Sequence, residues 1–149
     1  MKQTKVIFMG TPDFAVPILE SLIENTNVVL VVSQPDKQVG RHHELEATPV
    51  KKVALNHGIK VFQPIDIRED NEEKLKQNAD IIITCAYGQI VPESILNNPR
   101  LGCINVHASL LPKLRGGAPF IEQLLMEKKK QELQLCIWIK KWILVILFL

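Results

Sequence analysis

Four short apolar runs constrain this chain more than any other feature: Lys5–Met9 (KVIFM), Val28–Val32 (VVLVV), Ala79–Ala86 (ADIIITCA) and Gly102–Val106 (GCINV). Runs of this kind, short and rich in apolar residues, with Val28–Val32 uninterrupted and β-branched, suit strands covered on both faces, which is the habit of parallel sheets. Parallel neighbours need crossovers, and the intervening stretches supply them. Phe14, Ala15, Ile18, Leu19, Leu22 and Ile23 recur at three- and four-residue spacing, which predicts a helix from Pro12 to about Asn25, with Pro12 and Pro17 as imperfections. Strand, helix and strand make a βαβ unit. Further along, Val50–His57 reads as a short helix, Val61-Phe62 as a short strand, Arg68–Asn78 as a charged exposed helix, and Tyr87–Leu96 leads through Pro92 into another short helix. The alternation predicts an α/β domain with a doubly wound, mostly parallel sheet.

Between the second and third of these elements, Ser33–Pro49 (SQPDKQVGRHHELEATP) is polar, bounded by prolines and, at 17 residues, longer than most connections. Loops of that length are usually functional or mobile. With 149 residues the chain is sized for one domain with a real core, and 46% apolar and 23% charged residues exclude wholesale disorder, collagen and a polytopic membrane protein. A net charge of +2 is too small to argue for nucleic-acid binding, so any RNA contact has to be local. Cys85, Cys103 and Cys136 lie 18 and 33 positions apart, without a CxxC pair or a Cys/His cluster at zinc spacing, which excludes a disulfide scaffold and points to no metal. The first residues carry no secretory signature, and a cytoplasmic location is expected.

The pattern breaks after Pro119. Residues 120–149 hold no glycine or proline, contain both tryptophans and end in WILVILFL. Lys140-Lys141 interrupts the apolar stretch and leaves the terminal run well short of the ~18 residues needed to span a bilayer, so no membrane anchor is expected. An exposed run of this kind aggregates unless it finds a strand or helix partner.

Three segments could carry chemistry. Gly10-Thr11-Pro12 sits where the first strand meets the first helix, where backbone amides can hold an anion. GxGxxG is lacking, however, and a tight strand-to-helix turn is the better reading. Asn105-Val106-His107 lies at the carboxyl end of a predicted strand, where alternation aims Asn105 and His107 to one side, beyond the edge where open α/β sheets bind ligands. An amide donor beside an imidazole suits acyl transfer to an amine: one steadies the oxyanion while the other moves a proton. Taken alone, a histidine near a strand end is more often a hydrogen-bonded structural residue than a catalytic one. The following Ser109-Leu110-Leu111-Pro112 and Gly116-Gly117 form either a hydrophobic loop tucked under the sheet or an apolar wall for a flat ligand.

KVIFMGTPDFAVPIL at 5–19, QPDKQVGR at 34–41, TPVKKVA at 48–54 and INVHASLLPKLRGGAP at 104–119 together resemble the amino-terminal half of the methionyl-tRNA formyltransferase family, in order and spacing. N-x-H-x-S-L-L-P is shared across enzymes using 10-formyltetrahydrofolate, so another formyltransferase of that group is an alternative, while FMGTPDF narrows the resemblance towards the tRNA enzyme. It implies a Rossmann-like domain over residues 1–119. It further implies formyl transfer from 10-formyltetrahydrofolate to the amine of initiator methionyl-tRNA, with Asn105 and His107 at the reacting centre. Ser109, Leu110, Leu111 and Pro112 would line the folate pocket, and Arg41 would reach the tRNA acceptor end, although HHELEA at 42–47 brings two acids beside it. A monomer is expected.

The resemblance implies a third catalytic group, an aspartate in an M-D-x-G-D context, followed by more sheet and a carboxyl-terminal tRNA-binding barrel that the notional family pattern has and this stretch lacks. The aspartate falls at Ile143, which can neither accept a proton nor orient His107. With suitable synonymous codons, Phe120–Phe148 re-read one nucleotide out of frame gives IHRAIIDGEKKTGITIMYMDKKMDTGDII, which is family-like throughout and places its aspartate opposite Ile143. A single-base displacement just after the Pro119 codon, and hence an impaired enzyme or a non-catalytic folate-binding fragment, is the expectation that follows.

Overall fold

The computed structural model describes residues 4–70, 75 and 78–107, together with the backbone of 134–139 and 142–146. Its centre is a seven-stranded sheet in the order β5-β2-β1-β6-β7-β8-β9, built from β1 (Lys5–Gly10), β2 (Asn27–Val32), β5 (Val61–Phe62), β6 (Ile81–Cys85), β7 (Cys103–His107), β8 (Gln134–Ile139) and β9 (Trp142–Ile146). The first five in that spatial order pair in parallel, while β8 and β9 add antiparallel. The chain moves outward from β1 through β2 to β5 and then returns to the other side of β1 with β6. The topological switch point therefore lies between β1 and β6.

Alternation sorts the strand side chains into two cores. Val6, Phe8, Val31, Cys85 and Val106 pack with Ala15, Leu19, Val50 and Ala54 on one face, under α1 (Val16–Asn25) and α2 (Pro49–Asn56). Ile7, Met9, Leu30, Val32, Ile82 and Cys103 pack with Ile67, Leu75, Tyr87, Val91 and Ile95 on the other, under the segment that ends in α3 (Glu93–Leu96). Phe8 and Met9 are wholly buried on opposite faces. Burial on that scale is worth roughly 1.5–3 kcal/mol per large side chain, which is why the apolar runs are uninterrupted.

The prolines fit their places. Pro12 precedes a single 3₁₀ turn (Asp13–Ala15), and Pro17 falls in the first turn of α1, where the missing N–H has no helical partner to lose. Thr26 ends α1 by donating Oγ1 to the Leu22 carbonyl at 2.6 Å. Thr48 starts α2 by accepting from Lys51 N at 3.2 Å.

Two expectations are corrected. The connection Ser33–Pro49 is not structureless: β3 (Lys37–Val39) and β4 (Glu44–Glu46) form an antiparallel hairpin with Lys37 opposite Glu46 and Val39 opposite Glu44. Strands of three residues are too short for a period-two signal, and the turn relies on Gly40 and His43 at positive φ of 71° and 51°. A helix does not begin at Arg68. Asp66 takes the Arg68 backbone N–H on Oδ1 at 2.8 Å and the guanidinium on Oδ2 at 2.6 Å, closing a turn instead; Leu75 is helical and buried, and residues 71–74 and 76–77 of the expected helix lie outside the described residues. The tail's apolar run, which aggregates unless it finds a strand or helix partner, pairs into the sheet: β8 lies against β7 and β9 against β8.

Candidate active site

The carboxyl edge of the sheet is held together by polar groups from four separate segments. Thr11 Oγ1, just past β1, donates to the Tyr87 carbonyl at 2.9 Å and accepts from Gln34 N at 3.3 Å. Gln34 Nε2 donates to the same Tyr87 carbonyl at 3.2 Å, and Gln89 Nε2 donates to Gln34 Oε1 at 3.3 Å. Gln89 Oε1 accepts from Ile67 N at 2.8 Å. These bonds tie the loops after β1, β2 and β6 across the switch point. Gly10 serves close packing there: a Cβ on it would lie 2.8 Å from Phe8 Cε1 and 2.9 Å from the Cys85 carbonyl oxygen. The glycine is thus demanded by the strand-to-helix turn.

Asn105 and His107 stand two residues apart on β7, one face of the strand carrying both. Cys103 marks that face by packing in the core with Ile82 and Val91, whereas Val106 packs in the opposite core with Cys85. Both side chains are half-buried. Thr84 of β6 lies beside Asn105 in the parallel register, and its Oγ1 donates to Asn105 Oδ1 at 2.8 Å. His107 extends one step beyond the last β6 pairing, Cys85 with Val106, so its level is reached on the other side by Gln134 of β8.

Along the same edge a cleft of about 340 Å³ is lined by Gln34, Ile65, Asp66, Arg68, Gly88, Gln89 and Ile90. Ile65 and Ile90, 89% and 79% exposed, offer apolar surface at its rim. The Arg68 guanidinium and backbone N–H hold the Asp66 carboxyl at about 2, well ionised. Tyr87, 4% exposed, has its phenol pushed up by burial and by the nearby Asp66 charge. Its Oη is buried and has no hydrogen-bond partner among the described residues.

Arg41 sits in the exposed turn of the β3–β4 hairpin. The hairpin is anchored at its base: Lys51 Nζ pairs with Asp36 at 2.5 Å, Gln63 Nε2 donates to Asp36 Oδ1 at 2.7 Å, and Lys52 pairs with Glu46 at 2.9 Å. The Gln63 amide, followed by Lys51, keeps the Asp36 carboxyl below the usual carboxylate range. Ser109, Leu110, Leu111 and Pro112 lie outside the described residues. Ile143 lies on β9, two strands from β7, and pairs with Trp138 of β8. Following the registers through β8, its backbone stands about 13 Å along the strand direction from the level of His107.

Residues 3–132 match the formyl transferase family. The chain belongs to that family. It is 50% identical over 141 residues to a methionyl-tRNA formyltransferase of Bacillus subtilis, covering 93% of this chain and 44% of that one. With the methionyl-tRNA formyltransferase of Agathobacter rectalis it shares 63% over 118 residues, or 77% of this chain and 38% of the relative. This formyl transferase chain thus spans less than half the length of these curated relatives. Among solved structures, a phosphoribosylglycinamide formyltransferase from Bacillus halodurans superposes with a TM-score of 0.68 at 17% identity, covering 94% of this chain and 74% of that one. A formyltetrahydrofolate deformylase from Pseudomonas syringae gives 0.66 at 16% identity, covering 98% and 52%. Both show the same fold.

Among the described residues of this formyl transferase there is no cluster of three or more metal-ligating side chains, and no helix is long and apolar enough to cross a membrane. Sequence reasoning missed Thr84, Gln34 and Gln89. Thr84 left a trace, being the one hydroxyl inside ADIIITCA, whereas the glutamines gain meaning only through contacts across 55 residues.

Proposed function

We propose that this chain carries the formyl-donor site of an enzyme that transfers a formyl group from 10-formyltetrahydrofolate to the amine of initiator methionyl-tRNA. The observation that carries the reading is the placement of Asn105 and His107 on one face of β7, at the carboxyl edge of the sheet. In this mechanism the methionyl amine attacks the formyl carbon. The Asn105 amide N–H steadies the oxyanion of the tetrahedral intermediate, and His107 moves the proton from the attacking amine towards N10 of the departing tetrahydrofolate. Ser109, Leu110, Leu111 and Pro112 follow β7 directly and would wall the folate. Arg41, carried outward on the anchored hairpin, would meet the acceptor end of the tRNA. Acting on a charged tRNA, such an enzyme works in the cytoplasm at the start of translation, and we take it as a monomer.

Residues 120–149 are read as encoded one base out of frame, with Ile143 standing where the third catalytic group belongs. A missing acid–base partner costs about 10²–10⁴ in rate, so this chain binds the folate donor and transfers negligibly. The test uses three proteins: the chain itself, the product of the same gene with one base restored after the Pro119 codon, and the restored protein carrying Asn105→Ala or His107→Ala. Formylation of initiator methionyl-tRNA is expected from the restored protein alone. Near-normal turnover by the present chain, or full activity in the restored Asn105→Ala protein, would overturn the reading. The coding DNA after Pro119 tests the displacement directly, and an in-frame junction with unrelated codons would defeat it.

A further inference from the structure

We infer that Thr84 is a positioning residue that decides which end of the Asn105 carboxamide faces the formyl group. The inference rests on the reading of Asn105 as an oxyanion donor. A carboxamide presents an oxygen and an NH₂ of nearly equal size, so packing cannot tell them apart and a hydrogen bond must. Thr84 supplies it. Its hydroxyl, on a residue 5% exposed in a strand of apolar neighbours, donates its single proton to Asn105 Oδ1 at 2.8 Å. The parallel register sets Thr84 directly beside Asn105, so the bond follows from the sheet itself.

The opposite orientation is disfavoured by what it leaves behind. If the amide turned over, Thr84 would accept from Nδ2, and its proton would have to go to the Ile104 carbonyl, 3.5 Å away. A buried hydroxyl with so poor an acceptor costs a large part of a hydrogen bond. With Oδ1 held against Thr84, the Nδ2 N–H groups face away from β6. An amide presented the other way round would aim a carbonyl oxygen at the oxyanion and repel it.

The experiment uses the full chain, ¹⁵N-labelled, with Thr84→Val to remove the hydroxyl while keeping the β-branched shape, and Thr84→Ser to keep the hydroxyl. Two quantities are read. One is the Asn105 side-chain NH₂ resonance pair, assigned by its loss in Asn105→Asp. The other is the ratio of affinities for a non-reactive formyl-bearing folate analogue and the same analogue without its formyl group. In Thr84→Val the resonance pair shifts and the affinity ratio falls by about 10-fold, the worth of one hydrogen bond, and Thr84→Ser restores both. An unmoved resonance pair and ratio in Thr84→Val, or Thr84→Ser behaving as Thr84→Val does, would overturn the inference. If the unaltered chain does not distinguish the two analogues, the oxyanion reading of Asn105 fails, and the resonance pair alone decides Thr84: moved by valine and restored by serine upholds its hold on Asn105, unmoved overturns it. Should the valine variant not fold, Thr84→Ala carries the same expectation.

Discussion

Ser33 and Thr48, fifteen residues apart, share a hydroxyl–hydroxyl hydrogen bond of 2.6 Å, both side chains being buried. The bond closes the neck of the hairpin that carries Arg41. Thr48 also accepts from Lys51 N, so one hydroxyl fastens the loop and starts α2 together. The long polar connection is thereby tied down at its base while its turn stays exposed.

Replacing Thr48 by alanine removes a helix cap and leaves the buried Ser33 hydroxyl unpaired. The expected loss is about 2 kcal/mol in urea unfolding, with faster proteolysis within residues 37–46 under native conditions. A cleavage rate equal to that of the unaltered chain would show that the neck does not restrain the hairpin.

Tyr87→Phe deletes a buried hydroxyl that has no hydrogen-bond partner among the described residues. Stability should rise, by about 1 kcal/mol, because the folded state no longer strips that group of water. The same variant removes the phenol that lies near Asp66. A destabilised Tyr87→Phe protein in urea titration would mean that the Oη is bonded in solution.

Gly10→Ala places a methyl group against the Cys85 carbonyl, a backbone atom that cannot swing away. The two strands at the switch point must part or the turn must shift, at a cost of about 1–3 kcal/mol. Equilibrium unfolding measures it, and a neutral result would argue that the β1–β6 spacing yields freely.

Burial pushes the Cys85 and Cys103 thiols from 9.0 up to about 12. Because the folded chain holds these protons more tightly than the unfolded one, their contribution to stability is whole below pH 9 and is lost as pH rises from there towards about 12. Urea midpoints taken across that range should fall, and fall less steeply in a Cys85→Ala/Cys103→Ala protein. Identical slopes in the two proteins would remove the thiols as the cause.

The parallel core was legible in the residues themselves. KVIFM, VVLVV, IIITC and CINV are short and rich in apolar, β-branched residues, the habit of strands in a sheet covered on both faces, so strand identity and the βαβ order followed from composition over a few residues. The N-x-H spacing likewise implied a shared face, since the strand period is two. The hairpin in Ser33–Pro49 was not legible, because three-residue strands and positive-φ turns leave almost no local pattern. Nor was the pairing of β8 with β7, in which the tail satisfies backbone groups contributed by a strand some thirty residues earlier.

By itself, then, the sequence determined that the four apolar runs are strands and that Asn105 and His107 share one face of theirs. Both depend on composition and periodicity within a few residues. Only the tertiary structure decided that Thr84 would meet Asn105, that Gln34 and Gln89 would meet over Tyr87, and that Ser33 would close on Thr48. Those contacts depend on strand register and crossover path, which are set by how the whole apolar surface packs and are written in no short stretch of chain.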